Sequence, residues 1–151
     1  MKDKILKEYL AAPKNSKLYL GADSVRFEKD KVAYARISVV AVIHLAALHG
    51  CKVVGYNQVE RVYDYKLGKP AHRMMLEVYE VTKLYCDLIK EIPDADIEVH
   101  LDISENPIHG SSCAAKQAAG YVLGMCNVKA IMKPNAWAAS TCADLYNKKL
   151  G

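Results

Sequence analysis

Between residues 17 and 62, three strand-like runs follow one another with only short polar breaks; beyond residue 70, helix-like and strand-like runs alternate. That change of rhythm constrains the fold more than any other feature of the chain. Strands joined by a few residues pair antiparallel, whereas strands separated by a helix need a crossover and pair parallel. The first run, 17–25, puts Leu18, Leu20 and Ala22 on one face and Tyr19, Gly21 and Asp23 on the other. Glu28 to Lys31 is a polar turn. Residues 32–46, rich in Val, Ile and Ala, make a second strand closed by His49-Gly50, and Cys51 to Val62 makes a third. An antiparallel meander is the expected result.

Pro70 opens a helix to about Lys90, with an apolar stripe through Met74, Val78, Val81, Tyr85 and Leu88, and Pro93-Asp94 ends it. Residues 96–103 form a fourth strand. A small-residue helix follows from Gly110 to Met125, with Ser111 or Ser112 as its cap. Val128 to Met132 is a fifth strand, and Pro134-Asn135 begins a last helix to about Lys148. The order is β-β-β-α-β-α-β-α: an α/β chain with a mixed five-stranded sheet and helices on both faces.

A hydrophobic fraction of 52% supports one core, so residues 1–151 read as a single domain with residues 1–16 as a helical extension. The longest apolar run, Ile37 to Ala47, is broken by His44 and too short to span a bilayer. The charged start, Met1 to Glu8, lacks a signal-peptide core, so the expected location is the cytoplasm. Five scattered cysteines without a Cys-x-x-Cys pair argue for reduced thiols and against zinc. A net charge of +4 tolerates a polyanionic partner without demanding one.

Acidic residues stand out against this apolar background. Asp23 interrupts the first strand, and Asp102 follows Glu98 and His100 on one face of the fourth. A carboxylate in an apolar strand is costly unless compensated. The plainer readings are that Asp23-Ser24 begins a turn and that Asp102 lies on an exposed edge. On the long helix, Glu77 flanks the apolar stripe and is preferred to Glu80 and Asp87, with an Arg73–Glu77 helix pair as its plainer role. On the last helix, Asp144 either pairs with Lys148 or is brought to the sheet by Ala136, Ala138, Ala139 and Ala143.

Leu20-Gly-Ala-Asp-Ser24, His100-Leu-Asp-Ile103 and Lys133-Pro-Asn-Ala-Trp-Ala-Ala-Ser140, followed by Ala143-Asp144, resemble the YkuK-like family of ribonuclease H-like proteins over residues 17 to 149. One departure is Ser104, where the family pattern favours Asn; Asn106 follows two positions later. The resemblance implies a ribonuclease H-like fold and nuclease activity. In that layout Asp23, Glu77, Asp102 and Asp144 are the metal ligands of a two-metal site. Two Mg²⁺ or Mn²⁺ ions about 4 Å apart would flank a scissile phosphate. Lys133 is a candidate phosphate contact. Lys116, Lys129, Lys148 and Lys149 are candidates for a basic rim, His100 and His109 for groups near the site, and Tyr63, Tyr65 and Trp137 for base stacking or, more plainly, packing. The expected function is divalent-metal-dependent hydrolysis of RNA, RNA–DNA hybrid or structured DNA. The alternative is a non-catalytic nucleic-acid-binding or scaffold protein on the same fold.

Overall fold

The computed structural model describes residues 1–46, 50–63 and 71–150; the expectations attached to His49, Asp64, Tyr65, Pro70 and the side chains of Ser111 and Lys149 lie outside the described residues. The meander forms as expected. Strand β1 (Lys17–Lys29) pairs antiparallel with β2 (Val32–His44), which pairs antiparallel with β3 (Cys51–Arg61). The β1–β2 turn is tighter than the polar stretch Glu28 to Lys31 suggested. Only Asp30 and Lys31 lie outside the ladder, both with positive φ (53° and 64°), the backbone of a two-residue hairpin turn.

Strand β4 (Ile97–His100) pairs parallel with β1, from Leu18–Ile97 to Gly21–His100, so the sheet order is β3-β2-β1-β4. The sheet is mixed but has four strands, not the expected five. Residues 128–132 lie against β4 through a single parallel bridge, His100 to Ile131. Around that bridge the Ile131 N–H donates to the Val99 carbonyl (2.8 Å) and the Leu101 N–H to the Ile131 carbonyl (2.9 Å). Further along, the Lys133 N–H donates to the Ile103 carbonyl (3.1 Å), but β4 has ended at His100, so the segment meets no strand with which to form a ladder. The fourth strand is also shorter than expected, ending at His100, so Asp102 lies beyond it.

Helix α1 (Lys2–Leu10), α2 (Ala71–Glu91) and α3 (Ala115–Cys126) cover one face of the sheet. Alternation along β1 and β2 points Leu18, Leu20, Ile37, Val39 and Ile43 into this layer, where they are fully buried with Val78, Val81 and Leu88 of α2. The expected Ser112 cap does not form: a 3₁₀ turn, Gly110–Ala114, leads into α3 without a side-chain cap. The opposite face is covered by a π-helical turn, Ala138–Ala143, running directly into α4 (Asp144–Leu150). No helix among the described residues is long and apolar enough to cross a membrane.

Candidate functional site

Two glycines let the C-terminal helix approach its face of the sheet closely. A Cβ on Gly21 would stand 2.5 Å from the backbone of Ala138 and Ala139, and one on Gly55 would stand 2.8 Å from the Tyr146 ring. The Tyr146 hydroxyl donates to the Gly55 carbonyl (2.9 Å). The small residues of the π turn, Ala138, Ala139 and Ala143, are fully buried there. His100 fixes where this segment begins. Its Nδ1 accepts the Ala138 N–H at 3.2 Å and its Nε2 lies 3.2 Å from Glu98 Oε1, so the neutral ring carries its proton on Nε2. Tyr19 and Trp137 pack edge-on to the same imidazole. Burial holds the His100 pKa below its ordinary value, against an opposing pull from Glu98. Trp137 packs with its ring 4.6 Å from that of Tyr19 while remaining 38% exposed.

The helix so placed brings Asp144 to Asp23. Burial first, then the charges of Asp102 and Asp144, push the Asp23 carboxyl up to about 6, and Asp144 is within hydrogen-bonding reach of it. Asp102 stands where the β1 and β4 chains have stopped pairing, beyond the carboxyl end of a parallel strand, a common place for ligand sites in α/β sheets. Its buried Oδ1 has no hydrogen-bond partner, although Lys133 Nζ sits 3.1 Å away outside hydrogen-bond geometry. Lys133 is thus beside the acidic cluster. The second ammonium there is Lys148, 2.8 Å from Asp144 one helical turn earlier.

Glu77 reaches the cluster from the other layer and is 5% exposed. It accepts a hydrogen bond from Ser24 Oγ (3.0 Å), and Ser24 follows Asp23 on β1. Arg73 donates to the Ser24 carbonyl (2.9 Å) and to Ser24 Oγ (3.2 Å) rather than making the simple helix pair. Burial, then the charges of Asp23 and Asp102, hold the Glu77 carboxyl well above its usual range, with Arg73 and Ser24 only partly offsetting them. Glu80 is half-buried beside Tyr56, where burial raises its carboxyl, rather than solvated opposite the stripe.

The four expected carboxylates thus act on one another electrostatically, from β1, α2, the chain after β4 and α4. Among the described residues, no group of three or more His, Cys, Asp or Glu side chains is placed to hold one metal ion. That is compatible with Mg²⁺ or Mn²⁺, which take one or two carboxylates and keep waters and phosphate oxygens for the remaining positions. The all-oxygen donor set fits such cations, and the Lys133 ammonium, 3.1 Å from Asp102 Oδ1, stands where one would neutralise that carboxylate. Of the remaining candidates, His109 shares a pocket of about 370 Å³ with Ser104, Asn106 and Lys133, whereas Tyr63 is exposed against His72.

Sequence reasoning passed over Asn147. It is fully buried, and its Nδ2 donates to the Asp23 carbonyl (3.2 Å) and to Asp23 Oδ2 (3.4 Å). The available signal was its position three residues after Asp144, on the same side of the last helix.

No curated protein and no solved structure matches the chain significantly. A family model, described as ribonuclease H-like, matches residues 1–148, N-terminal helix included. With that match, a mixed sheet and acidic groups gathered beyond the β1–β4 pairing, the chain belongs to the ribonuclease H-like family.

Proposed function

We propose that this protein is a divalent-metal-dependent nuclease that hydrolyses phosphodiester bonds of RNA, RNA–DNA hybrid or structured DNA. One observation carries the reading: burial and then the charges of Asp102 and Asp144 raise the Asp23 carboxyl, and burial and then the charge of Asp23, with a smaller part from Asp102, raise Glu77. Carboxylates from four separate segments crowd one another at a net energetic cost, and hard divalent cations are the natural counter-charge. Asp23, Glu77, Asp102 and Asp144 would hold two Mg²⁺ or Mn²⁺ ions. When bound, the ions would supply Lewis-acid charge at the phosphate and make water a nucleophile near neutral pH.

The rest is the work of the chain's own groups. Lys133 would place its ammonium on a phosphate oxygen, exchanging its position beside Asp102 for the substrate's charge. Ser24 would hold one Glu77 oxygen, leaving the other for the site. His100, through the Ala138 N–H, would hold Asp144's helix against the sheet.

The test is a panel of labelled RNA, DNA, hybrid and junction substrates with Mg²⁺ or Mn²⁺, run beside Asp23→Asn and Asp102→Asn. Each change removes one charge at nearly constant volume. Cleavage by the native chain and none by the variants is expected. Equal cleavage by both variants would end the reading. Mn²⁺ that raises the melting temperature without cleavage of any substrate would favour the non-catalytic binding protein.

A further inference from the structure

The amide of Asn147 is gripped from two sides. From β2, Arg36 Nε donates to Asn147 Oδ1 at 3.1 Å, and Arg36 Nη2 donates to the Asn147 carbonyl at 3.2 Å. A guanidinium can only donate, so the amide oxygen must face Arg36 and the amide nitrogen must face the other way. The other way is Asp23, whose carbonyl and Oδ2 receive Nδ2. One side chain, with no solvent access, therefore ties β1, β2 and α4 together at the Asp23 carboxylate.

The choice of an amide has a physical logic. Asp23 is repelled by Asp102 and Asp144, and without a restraint its carboxylate would swing towards water. A Lys or Arg in place of Asn147 would also restrain it, but as a resident counter-charge competing with any cation. An amide donor is neutral. It occupies one of about four acceptor sites on the carboxylate and leaves the others for a ligand. An Asp at 147 would keep the pair with Arg36 but present an oxygen to Asp23.

We propose that Asn147, oriented by Arg36, is the positioning residue that fixes the rotamer of the Asp23 carboxylate. Its importance to metal binding rests on the nuclease reading above, whereas the rotamer can be measured without any metal.

In the metal-free protein, three-bond coupling constants of Asp23 report its χ1 populations. One rotamer is expected in the native chain and averaged values in Asn147→Asp. The double variant Asn147→Asp/Asp23→Asn restores a donor facing an acceptor between the two side chains, with the roles exchanged and the bond to the residue 23 carbonyl lost, and is expected to recover a single side-chain rotamer. Arg36→Lys, which cannot hold both the Asn147 side-chain oxygen and its carbonyl, provides a milder second variant and should loosen Asp23 partially. In Mn²⁺ titrations, Asn147→Asp should weaken binding by about 10–100-fold, the usual effect of losing a group that orients a ligand. The double variant should not recover Mn²⁺ binding, because residue 23 is no longer a carboxylate. A single Asp23 rotamer in both Asn147→Asp and Arg36→Lys would overturn the proposal. A native chain that binds no Mn²⁺ yet loses its Asp23 rotamer in Asn147→Asp would uphold it while ending the nuclease reading.

Discussion

On the face covered by α1, α2 and α3, Leu18, Leu20, Ile37, Val39 and Ile43 meet Val78, Val81 and Leu88, all without solvent access. On the face covered by the π turn and α4, the buried apolar cluster is Val40, Val42 and Ala143, flanked by Tyr19, Cys142 and Tyr146. Beside that cluster, the buried Ala138 and Ala139 and the Trp137 packing, the second contact is held by directional bonds: His100 to Ala138, Tyr146 to Gly55, and Arg36 to Asn147 to Asp23. The difference teaches how one sheet can carry both stability and a charged site. Non-directional apolar burial on the first face supplies the stability. The second face gives up apolar area so that carboxylates can be held in defined places, where a shift of 1 Å would matter.

The largest effect should come from opening the first face. Leu88 has no solvent access in α2, and Leu88→Ala should cost about 2–5 kcal/mol through lost transfer energy and a residual cavity. Urea unfolding would show a lower midpoint at unchanged slope. If the two faces divide their roles as described, the rise in melting temperature on adding Mn²⁺ should stay as in the native chain. A Leu88→Ala protein that has lost this response would mean that the faces are not separable.

A smaller cost with a larger consequence for the site is expected at Gly21. The added methyl of Gly21→Ala meets backbone at 2.5 Å, which cannot rotate aside, so the C-terminal helix must move outward. Overpacking of this kind costs about 1–3 kcal/mol. Here the Mn²⁺ response should shrink, because Asp144 and Asn147 ride on the displaced helix. Gly120 in α3 is the control: its Cβ position is open and its backbone helical, so Gly120→Ala should stabilise by about 0.4–1 kcal/mol and leave the Mn²⁺ response alone.

The same division explains what could be read from the residues. Period-2 alternation in β1, the Val, Ile and Ala richness of β2 and the 3.6-residue stripe of α2 are local signals of burial, and they announced the first face. Asp23 and Asp102 stood out because an acid is out of place among Val, Ile and Leu. The second face is written in single, non-periodic contacts. Apart from its helical spacing from Asp144, nothing marks Asn147, whose bonded partners Asp23 and Arg36 lie more than a hundred residues earlier. The fifth strand failed for a related reason. Val128 to Met132 has strand composition, but pairing is a property of two segments, and β4 ends at His100. The Ala-rich turn did signal the close approach of the last helix, though not its π-helical form.

The finest test separates the two faces by pH. Asp23 has a carboxyl pKa of about 6 in the fold against 3.8 ordinarily, so between about pH 4 and 6 the folded state holds a proton that the unfolded chain has released. Stability must then fall as pH rises through that window, and the cost is fully present above it. Asp23→Asn removes the cost. Without divalent metal, the variant should be more stable than the native chain at pH 7 to 8 by about 1–2 kcal/mol, a figure held down because the group is only half-buried. The gap should close as pH falls towards 4. His100 slopes the other way: its pKa is lowered in the fold, so its contribution is present above about 6.5 and is lost as pH falls. Both proteins carry His100, so its slope cancels in their difference. Urea midpoints measured from pH 4.5 to 8 give the curve. A gap that widened in acid would place the strain on some group other than Asp23. Adding Mn²⁺ at pH 7 should reverse the order, since only the native chain retains the full charge that a cation would neutralise.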